Sequence, residues 1–193
     1  SKAIAVFWVG MHDLESKTCL TKPGSCMKAI VADIQSNVLR LYKVGVKHVL
    51  IISVADRSKL PAVEMFFTNS ELATYKQITP VYNSLYYTMK NSLQAQFPSL
   101  HIHIFNFFGF KNPLFHALKN PSSRYCYHGT PYSATSSVPL CSDINNYYWW
   151  DEYSPTTEAY LFTAKGIYEE LQNDKSWVLN RSMWQNFLNI FHS

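Results

Sequence analysis

Three short runs of apolar residues along the chain are typical of β-strands. The first is Ala3–Val9, which stops at Gly10, and the others are Val46–Val54 and Leu100–Phe105. The first run contains no polar residue, so it lacks the alternation of a strand that has one wet face. We therefore expect a strand that is covered on both faces, as in a parallel sheet.

Apolar residues at helical spacing occupy the segments between and after these runs. Met27–Tyr42 carries one such pattern, and Gly45 stands where a C-terminal cap belongs. A longer stripe extends from Leu72 to Phe97, and we expect Pro80 to kink or restart that helix. The pattern also predicts a short helical turn at Leu114–Leu118 and helices near Pro155–Leu171 and Trp177–Phe191.

The order of these elements predicts an α/β fold with parallel strands and right-handed crossovers. We interpret residues 1–193 as a single domain in which residues 174–193 form a C-terminal amphipathic helix. Ligands of such folds bind at the carboxyl ends of the strands. A site is therefore expected in four loops, Gly10–Asp13, Ser53–Leu60, Asn106–Pro113 and Asp151–Ser154.

Composition and charge exclude several classes of function. The 193 residues are 47% hydrophobic and 16% charged, which is enough apolar material for one well-packed core. Lys and Arg exceed Asp and Glu by 17 to 13, but they form no basic run, which argues against nucleic-acid binding. The apolar runs are too short to cross a bilayer, and the first residues do not read as a signal peptide. We expect no transmembrane segment.

The four cysteines occur as two local pairs, Cys19 with Cys26 and Cys126 with Cys141. Neither pair has C-x-x-C spacing, and His128 is the one additional soft ligand nearby, so a metal site is not expected. The pairs are compatible with two short-range disulfides or with four reduced thiols. Because disulfides persist in oxidising compartments, the pattern favours a secreted or exported protein.

Several segments resemble, in order, the sequence blocks of one enzyme family. Phe7–Leu14 (FWVGMHDL) resembles its strand and Gly-x-Asn-Asp block, and Tyr148–Ala159 (YWWDEYSPTTEA) resembles its last block, an aromatic-Trp-Asp-x-x-His-Pro-Thr string. The intervening blocks match Leu41–Leu50, Asp56–Pro61, Val81–Leu85 and Asn120–Gly129. This family is the SGNH (GDSL) hydrolases. The resemblance covers about residues 3–172 and is nearest to the bacterial phospholipase, lysophospholipase and acyltransferase branch that includes thermolabile haemolysins.

The resemblance implies a three-layer, doubly wound parallel sheet with strand order 2-1-3-4-5. The three strands here correspond to strands 3, 4 and 5, and the N-terminal strands are missing from this chain. Ala3–Val9 then becomes an open edge, although its uncharged composition is that of an interior strand. We expect this edge to pair with the N-terminal half of the same protein or with a second copy of the chain.

The resemblance also implies a catalytic apparatus, which this sequence carries only in part. In the family a Ser attacks an ester, a His three residues after an Asp takes its proton, and Gly and Asn groups stabilise the oxyanion. Gly10 matches the oxyanion block and Asp151 the triad acid. His12 stands at the Asn position and Ser154 at the His position, and the serine nucleophile belongs upstream of residue 1. A serine hydroxyl cannot serve as a base near neutral pH.

Each of these residues also has a structural interpretation, which we favour. Ser154 before Pro155 suits a helix N-cap and first turn. His12 suits a loop cap, and Asp151 suits hydrogen bonding to backbone amides. His101 and His103 are interpreted as core or surface histidines. If another histidine replaced the missing base, His12 and His116 would be the loop candidates.

Three hypotheses for function follow. The first is a degenerate SGNH/GDSL lipase-esterase-like domain, a bacterial pseudoenzyme that binds a lipid-like, acyl or protein partner. The second is an active serine ester hydrolase, phospholipase or acyltransferase whose nucleophile lies in a missing N-terminal segment. The third is an exported bacterial interaction protein or effector. None of the three requires a cofactor or a metal ion.

Overall fold

A computed structural model describes residues 3–110, 125–128 and 140–174, and within them the strands form one parallel sheet. The strands are β1 (Ile4–Phe7), β2 (His48–Ile52) and β3 (His101–Phe105), in the order β1-β2-β3. Ile4 pairs with His48, and His48 pairs with His101. The mixed α/β class and the sequential order of the three strands are confirmed.

Helices connect and cover the strands. Their bounds are α1 Met11–Leu14, α2 Lys17–Thr21, α3 Pro23–Lys43, α4 Pro61–Phe66, α5 Asn69–Gln96 and α6 Thr157–Asn173, with 3₁₀ turns at Arg57–Lys59 and Ile144–Asn146. No helix in the described part of the chain is both long and apolar enough to cross a membrane.

The sheet has helices on both faces. Alternate strand residues, among them Phe7, Val49 and Ile51, belong to a large core with α3 and α5. The other set includes Leu50 and Phe105, which pack with Ile167 and Leu171 of α6 in a smaller core. We call these two sides the α3/α5 face and the α6 face.

Gly45 ends α3 as its position in the sequence predicts. Its φ is +95°, its amide donates to Tyr42 O at 2.9 Å, and the Val46 amide donates to Leu41 O at 3.1 Å. This pair of hydrogen bonds is a Schellman motif, in which glycine adopts the left-handed conformation without a steric cost.

Two helices differ from the expectation. The helix predicted from Met27 begins at Pro23, because proline at the first helical position is compatible with a helix start. The helix α5 continues through Pro80, so of the two expected outcomes, a kink or a restart, the restart is wrong. A capping box formed by Thr68 and Glu71 fixes its start, and buried apolar residues on both sides of Pro80 hold it against the core.

β1 is less covered than predicted. It lies at one edge of the sheet, and Val6 and Val9 are each 47% exposed. The expectation of a strand covered on both faces is therefore wrong for β1. The reason is that α6 packs mainly over β2 and β3 on its side of the sheet.

The cysteines form two disulfides, Cys19–Cys26 and Cys126–Cys141. The first joins α2 to the first turn of α3, and the second joins two segments beside the loop that precedes α6. The helical segments predicted at Leu114–Leu118 and Trp177–Phe191, the candidate base His116 and most of the polar stretch before Asn146 lie outside the described residues.

Candidate functional site

The segments that follow the carboxyl ends of the strands are joined by specific contacts. Glu15, after β1, forms an ion pair with Arg57, after β2. The amide of Ala62, at the start of α4, donates to the carbonyl of Glu152 at 3.0 Å. Trp8 at the end of β1 contacts Tyr160 of α6 edge to face, with ring centroids 5.8 Å apart. The loops after β1 and β2 and the loop before α6 therefore belong to one connected region, as the sequence predicts.

Gly10 forms a tight turn between β1 and α1. It is buried with φ +92°, and a β-carbon at this position would overlap the hydroxyl of Tyr82. Tyr86 lies beneath the same turn, with its hydroxyl oxygen 2.7 Å from that of Tyr82 and 3.3 Å from Val9 O. Burial raises the pKa of both tyrosines, to about 12 for Tyr86, so both hydroxyls are neutral at physiological pH. Glycine is therefore required here by conformation and by space.

His12 is an exposed polar group of this region. Its Nδ1 atom lies 3.3 Å from Glu15 Oε2, and its side chain is 67% exposed. The other oxygen of Glu15 contacts Nη2 of Arg57. The three side chains form a continuous series that fixes the imidazole relative to the loop after β2.

Arg57 is the buried cation of the site. The residue is 5% exposed, and Nη1 lies 3.8 Å from Met11 Sδ. Burial lowers the pKa of Arg57 to about 10, which leaves it charged near neutral pH. A buried charge needs a partner, because removing it from water costs several kcal/mol. Glu15 supplies that partner and ties α1 to the loop after β2.

Asn83 of α5 supports the loop after β2. Its Oδ1 accepts a hydrogen bond from the Val54 amide at 2.9 Å, and its Nδ2 donates to the Val54 carbonyl at 2.8 Å. Asn83 and Val54 are both buried. The side chain thus replaces a strand neighbour at the point where β2 ends and satisfies both backbone groups of one residue.

Asp151 caps its own loop. Its Oδ1 accepts hydrogen bonds from the amides of Tyr153 at 2.8 Å and Ser154 at 2.5 Å, and the residue is 8% exposed. No histidine in the described part of the chain is a hydrogen-bond partner of Asp151. The predicted hydrogen bonding of Asp151 to backbone amides is confirmed.

Ser154 is not the N-cap of α6. The cap is Thr156, whose Oγ accepts from the Ala159 amide at 3.2 Å and donates to Tyr147 O at 3.0 Å. The N-cap interpretation of Ser154 and Pro155 is therefore wrong by two residues. The carbonyl of Ser154 instead accepts from the Trp150 amide at 2.7 Å and closes the loop. Pro155 forms an antiparallel bridge with Trp149.

Apolar side chains surround these loops. Phe108, Tyr153 and Tyr160 are between 36 and 45% exposed. Trp8 packs edge to face on Phe107 with ring centroids 5.5 Å apart. The region therefore combines a polar series, His12 with Glu15 and Arg57, and an accessible aromatic surface.

The structure places Gly10 and His12 on one turn and Asp151 and Ser154 on another. The side chains of His12 and Ser154 do not hydrogen-bond to the carboxylate of Asp151, which instead accepts from the backbone amides of Tyr153 and Ser154. Sequence analysis missed Glu15 and Arg57. The spacing of three residues between His12 and Glu15 was the available signal, since residues at i and i+3 are neighbours on a helix. No three His, Cys, Asp or Glu side chains within the described ranges are grouped to hold a metal ion.

Comparison of the sequence with protein-family models and with curated proteins finds no match.

Proposed function

We propose that this chain is a degenerate SGNH (GDSL) hydrolase-like domain that binds a lipid-like or acyl ligand at the carboxyl end of its sheet without cleaving it. The observation that carries the proposal is the use of Asp151. Its carboxylate oxygen serves the backbone amides of Tyr153 and Ser154, and a serine stands where the family has its base. A triad acid acts by orienting and stabilising a histidine, which this carboxylate does not contact.

The exposed apolar side chains support a lipid-like ligand. Val9, Phe108 and Tyr153 lie on the loops after β1, after β3 and before α6. A ligand that covers several such side chains gains roughly 1.5 to 3 kcal/mol for each one fully removed from water. His12, which is exposed in the turn after β1, offers a polar contact for a head group.

A fluorescent dodecanoyl probe tests binding. The protein is expected to bind this probe and to release no nitrophenol from nitrophenyl butyrate above a matched blank. The variants Phe108→Ser and Tyr153→Ser are expected to weaken probe binding, whereas Val44→Ser, at an exposed position before β2, leaves it unchanged. Equal binding by all three variants would contradict the assignment of the ligand to this region.

An active hydrolase is the second candidate, and the position of His12 favours it. Glu15 accepts from Nδ1 of this ring and is itself held by Arg57, which is the arrangement of a base and its orienting acid. A serine from an N-terminal segment would supply the nucleophile. Labelling by a fluorophosphonate that is lost in both His12→Gln and Glu15→Gln would establish this candidate and refute the first.

Restoring the family residues tests how far the site has diverged. In a protein that carries the serine segment, Ser154→His combined with His12→Asn is expected to create or raise esterase activity. The new histidine needs a hydrogen bond from its ring to the Asp151 carboxylate, whose Oδ1 already accepts from the amides of Tyr153 and Ser154. A folded double variant without any gain would show that this pairing does not form.

An exported interaction protein is compatible with both candidates. Two disulfides support an oxidising compartment. The open side of β1, with no charge between Ala3 and Val9, supports pairing with the N-terminal half of the same protein or with a second copy. Light scattering on the wild type and on Val6→Lys tests self-pairing, which predicts a dimer that the lysine disrupts. If the wild type is monomeric at high concentration, self-pairing is refuted. The proposed partner of β1 is then a strand from the N-terminal half of the same protein.

A further inference from the structure

A histidine on the α6 face lies between a carboxylate in the last turn of α6 and the carboxylate of the residue that follows the helix. His103 Nδ1 is 2.9 Å from Asp174 Oδ2, and its Nε2 is 2.8 Å from Glu170 Oε1. The side chain of His103 is 12% exposed, and those of Glu170 and Asp174 are 44 and 30% exposed. These contacts join β3 to the C-terminal end of α6, outside the loops of the candidate site.

The geometry has a consequence for protonation. Carboxylate oxygens only accept hydrogen bonds, and a neutral imidazole carries a single N–H. Both contacts of His103 are therefore hydrogen bonds only when both ring nitrogens are protonated. We propose that protonated His103 is a clasp that fastens the C-terminal turn of α6 to the sheet, and that the clasp loses one of its two hydrogen bonds when the ring gives up a proton.

The charge of α6 supports this proposal independently. The C-terminal end of the helix carries Glu169, Glu170 and Asp174, and its last turn contains no basic residue. The helix dipole places a partial negative charge at this end, so carboxylates there are destabilising and a cation there is stabilising. An imidazolium supplied by β3 compensates for the acidic helix end.

Other groups that titrate lie near the clasp. His101 is on the same strand and the same face, and its ring stacks on that of His48 with centroids 5.1 Å apart. Burial and, secondly, the charge of Glu170 raise the pKa of Tyr87 on α5. The apolar residue Leu50 of β2 pairs with His103. A test must therefore distinguish the ring of His103 from those of His48 and His101.

Nitrogen-15 NMR of the histidine rings tests the wild type directly. At pH 5.5 the His103 ring is expected to show two protonated nitrogens, and on titration to pH 8.5 one of them loses its proton together with its contact to α6. A His103 ring that is neutral at pH 5.5 would overturn the proposal, and this measurement requires no variant to fold.

Urea unfolding at pH 5.5 and pH 8.5 tests the energetic consequence. The unfolding equilibrium constant of His103→Gln, divided by that of the wild type, is expected to be roughly three- to tenfold larger at pH 5.5 than at pH 8.5. The reason is that a hydrogen bond from a charged imidazole is stronger than one from a neutral imidazole. The same ratio measured in a Glu170→Gln/Asp174→Asn background is expected to be independent of pH. Glu169→Gln removes a neighbouring carboxylate of α6 that makes neither of these two contacts, and it is the matched control. Equal ratios at both pH values in the wild-type background would refute the clasp.

Discussion

The two faces of the sheet are built from different kinds of residue. On the α3/α5 face the strands contribute apolar side chains alone, namely Ala5, Phe7, Val49, Ile51, Ile102 and Ile104. On the α6 face, Leu50, Ile52 and Phe105 share the surface with His48, His101 and His103. The first face is a continuous apolar core, and the second combines a smaller core with three imidazole side chains.

Because of this difference, we expect the two faces to affect the free energy of unfolding in different ways. The supports of the candidate site, Tyr82, Tyr86 and Asn83, all come from α5 and are buried. Their hydrogen bonds do not depend on groups that titrate between pH 5 and 8. The α6 face, by contrast, carries imidazole side chains, the one side-chain type whose unperturbed pKa lies in that range. We expect substitutions on the α3/α5 face to change the free energy of unfolding at every pH. We expect substitutions of the histidines on the α6 face to change how the free energy of unfolding depends on pH.

The largest effect is expected for Gly10→Ala. The positive φ costs an alanine about 1 to 2 kcal/mol, and the overlap with the Tyr82 hydroxyl adds roughly 1 to 3 kcal/mol. Urea unfolding is therefore expected to show a loss of about 3 kcal/mol or more. The control is Gly24→Ala, because a β-carbon at Gly24 meets no atom within 4 Å.

A second variant separates the two causes at Gly10. Adding Tyr82→Phe to Gly10→Ala removes the hydroxyl that the new methyl group overlaps, so part of the loss is expected to return. If Gly10→Ala alone is tolerated as well as Gly24→Ala, the turn does not have the support from α5 described here.

Asn83→Ala is expected to have the next largest effect. The variant leaves the amide and carbonyl of Val54 without their partners in a buried position, and each unsatisfied group costs about 1 to 3 kcal/mol. A loss of about 2 to 4 kcal/mol is expected in urea unfolding, independent of pH between 5 and 8. Asn91→Ala, at an exposed position of the same helix, is the control. If the loss of stability in Asn83→Ala depends markedly on pH, the assignment of pH-independent stability to the α3/α5 face is wrong.

Sequence patterns predicted the apolar face well for a physical reason. Strand and helix periodicity report burial, so Val46–Val54 and Leu100–Phe105 each contain an observed strand, and the stripe from Leu72 to Phe97 covers most of α5. The observed strands are shorter than the apolar runs because hydrogen-bonded pairing ends before the buried segment does. Gly45 was predictable because glycine is the residue type that adopts the left-handed conformation at a helix end without a steric cost.

The candidate site was predictable only in part. The loops follow from the strand ends. The hydrogen bonds of Asp151 to amides two and three residues later are typical of an Asp side chain in a turn. The pairing of Glu15 with Arg57 joins residues 42 positions apart, and a lone charge in a sequence does not identify its partner. The carboxylates of α6 that hold His103 likewise come from tertiary packing, which the alternating histidines of β3 do not reveal.

The smallest effect is expected for His48→Phe on the α6 face. Burial and, secondly, the charge of His101 lower the pKa of His48 below its ordinary value of 6.5. The folded state therefore favours the neutral ring, so this stabilisation is complete above about pH 6.5 and is lost as the pH falls below it. Urea unfolding between pH 7.5 and 5 is expected to show less acid destabilisation in His48→Phe than in the wild type. His101→Phe is expected to give a part of this gain, and parallel pH profiles of all three proteins would contradict the assignment.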